Sequence, residues 1–200
     1  GPSHTSPICS EGAVICLCAN TARNAPSWAE RVLAVQGSPR GNGVCAKMLD
    51  AFLEELPPDA GITRFDCYRR RPIPCDDCRT CAGREGCAKR DLDDFYAALE
   101  EAALLVIATP VYNLSFPAPL KALIDRLQRY WSARFVLGKR PPIEKEKRLV
   151  LLTVSGSPSP EGGGMLERQL APVLTVIQRK FSGAPANRSS ARAQLLTSFS

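Results

Sequence analysis

"RVLAVQGSPRGNGVC" (Arg31–Cys45) joins an apolar run to a turn holding three glycines, a proline and one arginine. Its first half is short and rich in β-branched and aliphatic residues, which reads as a buried strand closed by Gly37. Its second half has two meanings: an ordinary surface turn, or a cradle for a phosphate. After it, Val44, Met48, Leu49, Phe52 and Leu56 recur at helical spacing until Pro57-Pro58 stops the pattern. A strand that turns sharply into a helix presents backbone N–H groups and a partial positive charge to an anion. Here Ser38 and Asn42 would add side-chain hydrogen bonds and Arg40 a charge-assisted one, while the glycines, Gly43 among them, let the backbone come close. The stretch is neither G-x-G-x-x-G with its later acidic residue nor a loop ending in Gly-Lys-Ser/Thr. A monophosphate is the anion it suits.

Working outward, the strand–helix unit repeats. "GITRFDCY" (Gly61–Tyr68) alternates weakly and suits an edge-side strand. Asp91, with Asp93 and Asp94 in the first turn, is expected to open a second helix whose apolar face carries Leu92, Phe95, Tyr96, Leu99 and Ala103. "LLVIATP" (Leu104–Pro110) is a continuous apolar run, as a strand buried on both faces requires. A third helix would place Leu120, Leu123, Ile124, Leu127 and Trp131 on one face; "RLVLLTVSG" (Arg148–Gly156) is a further strand, and Met165–Ile177 a fourth helix. Strand alternating with helix predicts an α/β fold on a parallel sheet. A fifth strand is doubtful, because the C-terminal 20 residues contain no run of four consecutive apolar residues. Ligands of such sheets bind beyond the carboxyl ends of the strands, which singles out the loops Gly37–Cys45, Thr109–Phe116 and Thr153–Glu161.

The chain has 200 residues, enough for one domain, with 44% hydrophobic and 23% charged residues. Residues 1–30 read as a poorly patterned tail and 31–200 as the domain. The net charge of +6 permits anionic ligands, but the only basic run, Arg69–Arg71, lacks an accompanying aromatic face, so a nucleic-acid partner is not expected. No apolar stretch approaches the roughly 20 residues that span a bilayer, and none is expected to enter a membrane. Nine cysteines, an odd number with four packed between Cys75 and Cys87, argue against a disulfide scaffold and for metal or redox chemistry in a reducing compartment, the cytoplasm. His4 is the sole histidine and stands in the tail, which leaves no basis for a histidine-assisted nucleophile.

"GSPRGNG" (Gly37–Gly43), followed after the third strand by "TPVYNLSFPAPLKALIDR" (Thr109–Arg126), resembles the NADPH-dependent FMN reductase group of flavodoxin-like proteins. The resemblance covers about Arg31–Ser157 and implies a doubly wound sheet of order 2-1-3-4-5. It implies that Ser38, Arg40, Asn42 and Gly43 hold the phosphate of FMN. It further implies that Pro110, Val111, Tyr112 and Asn113 lie along the flavin ring, with Ser155 and Gly156 in a third, less specific loop. The family usually continues with Asn-Thr where this chain has Val44-Cys45, so a phosphate-binding hydroxyl is missing there, Cys45 is only a weak substitute for it, and weaker FMN binding is expected. NAD(P)H is the electron donor the resemblance implies, and self-association is common in the group.

"CDDCRTCAGREGC" places Cys75, Cys78, Cys81 and Cys87 in the spacing C-x2-C-x2-C-x5-C. Two-residue gaps let successive thiolates gather round one centre, and Gly83 and Gly86 are expected to supply positive φ angles for the wrap. The run resembles that of the iron–sulfur flavoproteins, a branch of the same family, in which it holds a [4Fe–4S] cluster and a ferredoxin-like donor is natural. Three other readings stand beside it: unmetallated thiols, zinc, and, on the formal C-x5-R spacing of Cys78 and Arg84, a phosphatase loop. The expected function is therefore an FMN-dependent oxidoreductase, with an NAD(P)H:quinone reductase lacking a cluster, or a zinc-binding interaction module, as alternatives. No catalytic acid or base is nominated, since the flavin carries the chemistry.

Overall fold

The computed structural model describes residues 30–156, 161–177 and 193–196, the last as backbone. In chain order the elements are β1 (Arg31–Gln36), α1 (Val44–Glu54), β2 (Gly61–Asp66), α2 (Cys67–Arg70), α3 (Thr80–Gly83), α4 (Asp93–Glu101) and β3 (Leu104–Pro110). They continue with α5 (Ala118–Asp125), α6 (Gln128–Phe135), β4 (Arg148–Val154), α7 (Glu161–Ile177) and β5 (Ala193–Leu196). The sheet has the order β2-β1-β3-β4-β5. β1 to β4 are parallel, as expected. The doubtful fifth strand is present but antiparallel to β4, pairing Leu149 with Leu196 and Leu152 with Ala193. A four-residue strand joined by backbone bonds to one neighbour does not need the apolar run that marks a strand buried on both faces. The expected tail falls, up to residue 29, outside the described residues.

Two cores sandwich the sheet because alternate strand residues point to opposite faces. On one face Val32, Ala34, Val106, Ala108, Val150 and Leu152 pack with Cys45, Met48, Leu49 and Leu53 of α1. On the other, Leu33, Val35, Leu105, Ile107, Leu149 and Leu151 meet residues of α4, α5, α6 and α7. Each fully buried aliphatic side chain here contributes roughly 1.5–3 kcal/mol.

Three sequence expectations shift by local detail. Val44 is 52% exposed, and Cys45 and Leu53 take the inward positions of α1. The third helix breaks at Arg126–Leu127 into α5 and α6, which resets the helical phase: Tyr130 and Ala133 turn inward while Trp131 is 42% exposed. The α4 helix begins at Asp93, with Leu92 as its N-cap residue. Asp91 does not open it, for a reason found in the cysteine segment.

Candidate functional site

The registers bring the β1 and β3 ends together. Gln36 pairs with Ala108, and the Gly37 amide donates to the Ala108 carbonyl at 2.8 Å. A Cβ on Gly37 would stand 2.6 Å from Leu120 Cδ2 and 3.2 Å from the Ala108 carbonyl oxygen. The glycine therefore serves close approach of two strand ends. Beyond it, Ser38 is buried and its hydroxyl accepts a hydrogen bond from the Arg40 amide at 3.3 Å. Arg40 and Asn42 are exposed and Gly43 is half-buried. Gly43 is the N-cap of the 11-residue α1 and supplies no side-chain cap. The first amides of α1 are thus open to an anion.

Cys45 lies inside the α1 core rather than at the surface, and burial pushes its thiol up, opposed by a hydrogen bond with Ser38. It reaches the loop through that serine.

Pro110–Asn113 emerges from β3 beside this loop. The Val111 amide donates to the Val154 carbonyl at 2.8 Å, which ties the segment to the end of β4. Asn113 and Leu114 take left-handed φ angles of 51° and 59°. Tyr112 and Ser115 exchange backbone hydrogen bonds of 3.0 and 2.9 Å across them, forming a tight reversal. The Leu114 carbonyl accepts from Gln169 Nε2 at 3.1 Å, and Ser115 Oγ donates to Gln169 Oε1 at 3.2 Å, so α7 braces the turn. Tyr112 is left 45% exposed at its edge. Ser155 is half-buried and Gly156 exposed at the end of β4; residues 157–160 of that third loop fall outside the described residues.

The sequence did not mark Tyr68, just past β2. Burial, with a smaller contribution from Tyr112, pushes its phenol up. Its position two residues past Asp66, the end of β2, was the available signal. Gln36 was also missed: it is 9% exposed, and neither its Nε2 nor its Oε1 has a hydrogen-bond partner.

Residues 71–90 are built differently. Cys75 and Cys78 are exposed, Cys81 and Cys87 half-buried. All four line one cavity of about 510 Å³, together with Lys89 and Arg126. Positive φ angles occur at Asp77 (52°), Arg79 (61°) and Gly86 (99°), whereas Gly83 sits in α3 without one. Of the two glycines expected to relax the wrap, only Gly86 does. Polar ties hold the segment. Lys89 Nζ donates to Asp76 Oδ2 at 2.6 Å, and Lys139 Nζ to Glu85 Oε2 at 2.8 Å. Cys81 Sγ lies 3.4 Å from Ser132 Oγ of α6.

At the base lies Arg126, whose side chain is 1% exposed. Its guanidinium donates to the Ile73 carbonyl at 2.8 Å and the Lys89 carbonyl at 2.9 Å, gripping both stems of the cysteine loop. Asp91 Oδ2 accepts from the Ile73 amide at 2.9 Å, and Asp91 Oδ1 stands 3.0 Å from Arg126 Nη1 as an ion pair. The buried guanidinium thus claims the carboxylate that would otherwise have capped α4.

Four thiols on one cavity, with cations beside them, suit an anionic metal–sulfur group by chemistry. Among the described residues, no three of His, Cys, Asp or Glu come close enough together to hold a metal ion.

Residues 31–189 match the profile of the NADPH-dependent FMN reductase family. The chain belongs to that family. An iron-sulfur flavoprotein of Archaeoglobus fulgidus is 31% identical over 134 residues, covering 66% of this chain and 57% of that protein. An iron-sulfur flavoprotein of Methanosarcina thermophila is 30% identical, covering 64% of each. An FMN-dependent NADH:quinone oxidoreductase of Beijerinckia indica is 30% identical, covering 66% of this chain and 73% of that protein. The chain therefore spans less than two thirds of the length of the two iron-sulfur flavoproteins. In fold it is similar to the azoreductase of Bacillus anthracis, with a TM-score of 0.56 at 21% identity over 74% of this chain and 81% of that one. No helix among the described residues is long and apolar enough to cross a membrane.

Proposed function

We propose that this family member is an FMN-dependent oxidoreductase that takes electrons from NAD(P)H or a ferredoxin-like donor and passes them to a quinone-type or protein acceptor. The carrying observation is the junction of two loops at the carboxyl edge of the sheet, fixed by the 2.8 Å bond from Gly37 to Ala108. It sets an uncapped helix N-terminus beside an aromatic, tightly reversed segment. In this reading Ser38, Arg40, Asn42 and Gly43 hold the phosphate, and Cys45 acts through Ser38. Pro110, Val111, Tyr112 and Asn113 hold the ring, Ser155 and Gly156 border it, and the domain runs from 31 to 200. The flavin, when bound, supplies both hydride and single-electron chemistry; the protein binds, orients and shields it.

Cys75, Cys78, Cys81 and Cys87 would hold a [4Fe–4S] cluster, a reading supported by their shared cavity and by the names of two relatives. The cavity would have to contract round the group, since the thiols do not converge unaided. The six free cysteines among the described residues suit a reducing compartment such as the cytoplasm. Self-association is part of the same reading, with the exposed Trp131 and Phe135 as available apolar surface.

The test is an absorption spectrum of anaerobically prepared protein before and after dithionite, with iron, sulfide and zinc assays on one sample. Flavin bands over a broad iron–sulfur envelope, both bleaching, are expected. Flavin bands alone would leave the reductase and remove the cluster. A colourless sample that stays so with added FMN would overturn the oxidoreductase.

A further inference from the structure

We infer that Gln36 is a binding residue for the ribityl chain of the flavin, an inference that rests on the FMN reading above. Gln36 is the last residue of β1 and stands two positions before Ser38. By strand alternation it shares the α1-facing side of the sheet with Val32 and Ala34, both in the α1 core. It is thus directed toward the face on which α1 begins, under the loop that receives the phosphate.

Its side chain is nine-tenths buried, yet both amide atoms lack a partner. Two buried polar neighbours at this end of the sheet are matched: Thr109 Oγ1 donates to the Pro110 carbonyl at 3.0 Å, and Ser38 accepts from Arg40. The other unmatched buried atoms, Asp91 Oδ1 and Arg126 Nε, belong to an ion pair that neutralises their charge. Among the described residues, Gln36 is the one buried side-chain amide with both atoms unmatched. A buried amide forfeits its hydrogen bonds to water and gains nothing until a partner arrives.

The amide needs a partner that both donates and accepts. A phosphate oxygen only accepts, and would leave Oε1 orphaned. Hydroxyl groups do both, and the polyol is the part of FMN that connects the phosphate loop of β1 to the ring loop of β3. The flavin ring offers a donor–acceptor edge as well, but in the reading above the ring lies along the β3 loop.

The experiment compares wild type with Gln36→Leu, and with Gln36→Met should the leucine variant not fold. Thermal midpoints are measured on flavin-free protein. Affinities for FMN, riboflavin and lumiflavin, which lacks the polyol, are measured by fluorescence quenching. The substitution should raise the midpoint of the flavin-free protein, because it removes an unmatched amide. It should weaken FMN and riboflavin roughly tenfold, the cost of one lost hydrogen bond with its partner left unsatisfied. Lumiflavin should bind as before. Unchanged FMN affinity would overturn the inference and assign the amide to a buried water. Loss of FMN without loss of riboflavin would reassign it to the phosphate, and loss of lumiflavin would reassign it to the ring. Wild-type protein that binds none of the three would instead overturn the FMN reading itself.

Discussion

The flavin-side loops and the cysteine segment both carry the proposed chemistry, but they are held in place by opposite means. The loops after β1 and β3 are fixed by short backbone bonds between strand ends, from Gly37 to Ala108 and from Val111 to Val154. Their geometry follows once the sheet has formed. The cysteine segment borrows little from the sheet. Charged side chains hold it, above all one arginine that reaches both stems across 53 and 37 residues of sequence. A backbone-fixed loop tolerates side-chain change except where space is lacking, whereas a segment fixed by one buried charge depends on that charge.

Replacing the charge should have the largest effect. Arg126→Met strands a carboxylate that is only 21% exposed and leaves two carbonyls unmatched, and breaking a buried pair in this way costs about 3–5 kcal/mol. Urea denaturation gives the loss. In metal-free protein, alkylation followed by peptide mapping should show Cys81 and Cys87 becoming as reactive as the exposed Cys75 and Cys78. Cys67 should stay unlabelled, because burial, reinforced by Asp66, pushes its thiol up to about 12. Unchanged labelling of Cys81 and Cys87 would mean that the loop does not depend on the arginine.

A middle-sized effect is expected at the flavin-side junction. Gly37→Ala puts a methyl 2.6 Å from Leu120 Cδ2 and against backbone, and overpacking of that kind costs about 1–3 kcal/mol. The cysteine loop should keep its labelling pattern, while FMN affinity falls. The smallest effect belongs to Gly83→Ala in α3, where no atom lies within 4 Å of the added carbon. Its stability should stay within about 0.5 kcal/mol of wild type by the same denaturation curve. A large loss there would show that the cysteine segment packs more tightly than the cavity of about 510 Å³ allows.

Much of this architecture is legible in the order of residues along the chain. Continuous apolar runs mark β1, β3 and β4, since a strand covered on both faces must be apolar throughout. The glycines and prolines after those runs mark the loops, and the parallel order puts them at one edge. The close cysteine spacing places four thiols on one cavity. The fifth strand is not legible, because four residues paired by backbone alone leave no periodic signature.

The strands, their loops and the residue types at the flavin-side edge are thus set by the chain's own order, because each rests on a pattern within a few neighbouring positions. Contacts between distant parts of the chain decide the rest: that Asp91 serves Arg126 rather than α4, and that Trp131 faces outward after the helix resets. They decide too that Gln36 is buried with its amide unmatched. Each of these depends on which remote group comes within hydrogen-bonding or packing distance, and that is fixed by how the helices lie on the sheet, not by any local pattern of residues.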